Sequence, residues 1–170
     1  MVARRPRAVP GDALLHPLAL AALALLLVNV HVLKGVAPSP LTGILSGVAG
    51  MVVMPLVLVA LVEAATAAAG RWRGPRMLTF VATCLVTAVG YAAVELVPAA
   101  ADAYRVGWGA MQWPGSAIGA LADGRGLPAI VPVSAVADPF DLLALAALAV
   151  PLLIGRGRAG PGPQLDARPA

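Results

Sequence analysis

The apolar residues of this chain fall in four long runs, at residues 14–33, 41–62, 77–97 and 139–154. One small core could not hide runs of that length. From Leu41 to Val62 there are 22 residues without a charge, which as an α-helix reach about 33 Å. That crosses a hydrocarbon core of about 30 Å. Ser39 is placed to cap this run and Pro40 to begin it, since proline at the first helical position sacrifices no hydrogen bond. The third run opens near Pro75 and is stopped by Pro98. The fourth, Pro139 to Ile154, has 16 residues and would reach only about 24 Å as an α-helix, so Asp141 and the preceding loop are expected in the headgroup layer. The pattern predicts an all-α protein: a four-helix transmembrane bundle with one longer extracytoplasmic loop.

The first run follows Arg4, Arg5 and Arg7, as a cleaved leader would. Its best small-x-small site, Gly35-Val36-Ala37, is followed by Pro38, which disfavours cleavage, so the run is read as a retained helix. The organisation expected is a basic cytoplasmic tail at 1–12, one membrane domain at 13–154 with an outer loop at 98–137, and a disordered cytoplasmic tail at 155–170, rich in Pro, Gly and Arg. Within the loop, Tyr104, Trp108 and Met111 recur at i, i+4 and i+7, the spacing of a short helix lying in the interface. Gly124 to Gly126 reads as a turn, and Ile130 to Val136 as an extended segment.

Composition supports the membrane reading. Of 170 residues, 60% are hydrophobic and only 12% charged, where an ordinary soluble domain has roughly a quarter. The 12 basic residues outnumber the 8 acidic ones, but they flank the apolar runs with no aromatic-basic stripe, so they act as topology signals and imply no nucleic acid. Arg4, Arg5, Arg7, Arg71, Arg73, Arg76, Arg156, Arg158 and Arg168 lie on one side of the alternating runs; Lys34, Arg105 and Arg125 lie on the other. Positive residues stay inside, so both termini are expected in the cytoplasm. The Ala, Gly, Pro and Arg bias points to a GC-rich bacterial source, and hence to the inner membrane.

Polar groups at membrane depth are costly, and each is a candidate for function. Asn29 and His31, with Lys34 just beyond, lie near the outer end of the first run; Thr42 and Ser46 near that of the second; Tyr91 and Glu95 near that of the third; Asp138 and Asp141 open the fourth. All nine share one depth, and Glu95 is expected to face this cluster or the bundle interior. Each also has a plainer reading. Asp138 and Asp141 fit a helix cap and an acid facing the helix dipole. Thr42 and Ser46 can bond their own helix, and Asn29 with His31 can pair between helices.

Metal and cofactor readings lack ligands. His16 and His31 are 15 residues apart, about 22 Å along a helix, and Cys84 is the sole cysteine. No cofactor, metal or catalytic residue is expected. Gly43 and Gly47, extended by Gly50, give a small-residue face suited to close helix packing, against another helix or a second copy. Pro55 is expected to kink the second helix.

Some of these residues form motifs. His16-Pro17, then Asn29-Val30-His31-Val32-Leu33-Lys34, then Thr42-Gly43-Ile44-Leu45-Ser46-Gly47-Val48-Ala49-Gly50, and finally Ala137-Asp138-Pro139-Phe140-Asp141 occur in order. The series resembles a family of small bacterial four-span membrane proteins with the patterns Asn-Asp-His-x-Leu-Lys and Thr-Gly-Lys-Leu-Ser-Asp. The resemblance implies four spans and brings no activity. Val30, Ile44 and Gly47 stand where that pattern has Asp, Lys and Asp. The loss of two acids and a base together argues against ion handling at those positions.

The expected function is a non-catalytic accessory or structural bundle, partnered by the lipid bilayer and by a second copy or another membrane protein. Two alternatives stay open. One is a small transporter or ion- or proton-conducting protein using the outer polar cluster. The other is a membrane enzyme on lipid-linked substrates, with Glu95, Asp138 and Asp141 as its acids.

Overall fold

The computed structural model describes residues 8–33, 36, 40–134 and 139–159. Lys34, Ser39, Asp138 and both distal tails lie outside the described residues. Among the described residues every regular element is helical. A 3-10 turn, Asp12–Leu15, precedes α1, Pro17–Val28, which runs on as a π-helix, Asn29–Leu33. Then come α2, Pro40–Ala68, α3, Met77–Leu96, and α4, Pro98–Ala122. A 3-10 helix, Pro139–Leu148, leads into α5, Ala149–Arg158.

Local chemistry sets these boundaries. His16 is extended, its Nδ1 accepts the Leu18 N–H at 3.2 Å, and Pro17 opens α1. His16 is thus a helix cap. The second apolar run continues six residues past Val62, because Ala64, Ala65, Ala67 and Ala68 sustain the helix. It ends where Gly70 turns left-handed, at φ 67°, and the Arg71 N–H bonds back to the Thr66 carbonyl at 2.8 Å. Helix α2 passes through the buried Pro55 and remains one element of 29 residues.

Two helices, α2 and α3, are long and apolar enough to cross a membrane. Only 33% and 22% of their most apolar windows is buried, whereas the core helix of a soluble protein is mostly covered. Helix α3 is also inside-out. Phe80, Thr83, Cys84 and Thr87 are buried, while Leu78, Leu85, Val86 and Val89 are exposed. The threonine hydroxyls are satisfied by their own helix, Thr87 Oγ1 donating to the Thr83 carbonyl at 2.8 Å and Thr83 Oγ1 to that of Thr79 at 3.0 Å. A surface with apolar side chains outward is compatible with lipid.

The other two apolar runs take different forms. Pro17–Leu33 makes 17 residues of α- and π-helix. The fourth run begins as ten residues of 3-10 helix. A 3-10 helix rises about 2.0 Å per residue, so Pro139 to Ile154 reaches about 29 Å, more than an α-helix of the same residues.

The chain divides into two compact units, Met1–Ala88 with Leu143–Ala170, and Val89–Leu142. The first unit has a core of Ala13, Ala19, Val52, Leu56, Val59, Phe80 and Ile154. Here α1 lies along α2, and α5 crosses it. The crossing of α5 over Phe80 needs Gly155, where a Cβ would come within 2.6 Å of the Phe80 ring. In the second unit α4 is far longer than the short helix the sequence suggests. Pro98 starts it at N1, and its alanines carry it for 25 residues. A turn at Asp123-Gly124 leads into an irregular segment through Ser134, whose Val133 N–H bonds the Arg105 carbonyl at 3.1 Å.

Candidate functional site: buried polar groups at two places in the helices

The first site lies where the π-helix follows α1. Asn29 is fully buried. Its Nδ2 donates to the Thr42 carbonyl and to Ser46 Oγ, each at 2.6 Å, and Ser46 Oγ donates to the Thr42 carbonyl at 3.1 Å. One amide thus ties the π-helix to the first turns of α2. Asn29 Oδ1 is buried and has no hydrogen-bond partner. His31 is exposed on the same π-turn. A Cβ added at Gly43 or Gly50 would meet no atom of the described residues within 4 Å.

The second unit holds Tyr91, Glu95 and Asp141. Tyr91 Oη donates to the Asp141 carbonyl at 3.2 Å. Glu95 is half-buried and borders a shallow cleft with Val97, Asp102 and Arg105. Arg105 Nη1 pairs with Asp102 Oδ1 at 2.8 Å across one helical turn.

A further buried group was not anticipated from the sequence. Glu63, on α2, is 4% exposed. Its Oε2 accepts the Gly11 N–H at 2.8 Å, and its Oε1 is buried without a hydrogen-bond partner. Gly11 adopts φ 80°, a left-handed conformation, and a Cβ there would come 3.3 Å from that of Ala60. The next residue, Asp12, accepts the Val9 N–H at 3.0 Å and pairs with Arg158 at the end of α5. Burial lowers the Arg158 pKa from its ordinary value, and its Nε is buried without a partner. Trp72 Nε1, beyond the end of α2, is likewise buried and unpartnered.

Glu63 escaped notice because it sits one residue past the uncharged run and so reads as its polar boundary. The available signal was its register. Val52, Leu56, Val59 and Glu63 follow one another at helical spacing, so Glu63 continues the buried face of α2. Among the described residues no three His, Cys, Asp or Glu groups are placed to hold a metal ion. The chain matches no protein-family model, no curated protein and no solved structure.

Proposed function

We propose that this chain is a multi-pass protein of the bacterial inner membrane that serves as a non-catalytic accessory or structural bundle. The observation that carries the reading is the Asn29 amide. It spends both N–H groups on the neighbouring helix, at the Thr42 carbonyl and Ser46 Oγ. Polar groups used in this way fix helix register and need no substrate. The arginine asymmetry supports four crossings with both termini in the cytoplasm. The 29 Å reach of the fourth run is compatible with a crossing, being close to a hydrocarbon core of about 30 Å.

A second reading, a small ion- or proton-conducting protein, is favoured by one observation. Asn29 Oδ1 and Glu63 Oε1 are buried acceptors without hydrogen-bond partners, one on the π-helix and one on α2. Intramembrane acceptors of this kind can serve a passing cation or proton. Purified protein in vesicles, under an imposed proton or potassium gradient, separates the two. The first reading expects the leak of protein-free vesicles. A flux that Glu63→Gln or Asn29→Leu abolishes would replace it with the second.

A further inference from the structure

The longest helix outside the apolar runs is α4, and one of its faces is exposed among the described residues. Tyr104, Trp108, Met111 and Ile118 are 44%, 39%, 69% and 69% exposed. At about 100° per residue they form a single row along the helix. Between them the row passes only Gly107 and Gly115, and it carries no charge. The polar residues Arg105, Gln112 and Ser116 form a separate row, about 100° around the helix.

A different flank of α4 is already occupied by the chain itself. Trp113 Nε1 donates to the Pro128 carbonyl at 2.7 Å. The Val133 N–H bonds the Arg105 carbonyl at 3.1 Å. Gly109 faces the Val131 carbonyl so closely that a Cβ there would collide with it. The irregular segment therefore covers that flank and leaves the Tyr104–Ile118 row exposed among the described residues.

We infer that this row of α4 is seated on the phospholipid surface, along the boundary between headgroups and acyl chains. The inference rests on the proposed reading that α3 crosses the bilayer, and deepens it by naming what covers α4. Three observations select lipid as the occupant. Only Val97 separates the end of α3 from the start of α4, so a spanning α3 delivers α4 to the membrane boundary. Tyr104 and Trp108 are stacked, with ring centroids 6.2 Å apart. Rings with an apolar body and a polar tip favour the headgroup depth. The row is continuous and uncharged, with a polar row beside it, which is how a helix lying in the interface divides its surface.

The test is site-directed spin labelling in vesicles of phosphatidylcholine with phosphatidylglycerol. Labels are placed one at a time, in a Cys84→Ala background, by Met111→Cys, Ile118→Cys, Ser116→Cys and Val86→Cys. Collisions with oxygen, which concentrates in lipid, are compared with those of a water-soluble nickel chelate. Labels at 111 and 118 should favour oxygen several-fold, and the label at 116 should favour nickel. Nickel exceeding oxygen at either 111 or 118 would place the row in water and overturn the inference. Low access to both reagents there, with an immobilised spectrum, would mean that protein covers the row, and would overturn it equally. The Val86 label separates this failure from failure of the membrane reading, because it is exposed on α3. Oxygen access at 86 leaves the span standing whatever α4 does, while nickel access at 86 removes it. A second measurement uses the native tryptophans. Brominated lipid should quench part of the fluorescence, and Trp108→Phe should remove most of that part.

Discussion

The Gly11 N–H donates to Glu63 Oε2 at 2.8 Å across 52 residues of sequence. The bond fastens the segment before α1 to the distal part of α2. Beside it, Asp12 reaches Arg158 at the end of α5. Two adjacent residues thus gather three helices, and both depend on Gly11 taking a backbone conformation that other residues rarely adopt.

Glu63→Ala should destabilise the protein by about 1–3 kcal/mol, because it strands a half-buried N–H. Glu63→Gln keeps an oxygen for that N–H and should cost less. Denaturant titration in detergent reads both. A Gln variant as damaged as the Ala variant would mean that the charge matters more than the hydrogen bond.

Asp12 and Arg158 are each about a fifth to a quarter exposed at the side chain, partly shielded from water. A double-mutant cycle with Asp12→Asn and Arg158→Gln should return a coupling of about 0.5–3 kcal/mol. A coupling of zero would reduce the pair to an incidental contact.

At the α3–α5 crossing, Gly155→Ala should lower stability by about 1–3 kcal/mol, since its methyl group overlaps the Phe80 ring. Phe80→Leu in the same chain should recover part of that loss. Gly157→Ala is the control, with no atom within 4 Å of its added Cβ. Thermal unfolding that does not distinguish Gly155→Ala from Gly157→Ala would refute the close crossing.

The glycines of α2 give an opposite expectation. The methyl groups of Gly43→Ala and Gly50→Ala meet nothing among the described residues. Each should raise helix stability by about 0.5–1 kcal/mol, as alanine replaces glycine in a helix. Destabilisation that grows with protein concentration would reveal a second copy on that face.

Topology follows from cysteine labelling of intact cells in a Cys84→Ala background. Ser116→Cys, on the polar row of α4, should react with an impermeant maleimide from outside. Arg73→Cys, in the loop after α2, should react only after lysis. The reverse pattern would invert the protein in the membrane.

The helical class and the positions of α2 and α3 were legible in the sequence, for a physical reason. A long run without charge has few ways to satisfy its backbone except as a helix, Pro40 marks a helix start by lacking an N–H, and Pro98 marks the end of the third run. The expected depth singled out Asn29, Thr42 and Ser46, and hydrogen bonds join these three residues in the structure. What depth could not decide was direction around each helix. Only the packed structure turned Asn29 into α2 and buried Glu63 against Gly11. The same holds for the length of the fourth run. Pro139 to Ile154 is short as an α-helix and reaches further only because its first ten residues wind as 3-10 helix, a choice no local propensity announces. Composition and periodicity record what one helix prefers, whereas rotation and long-range pairing depend on what a neighbour offers.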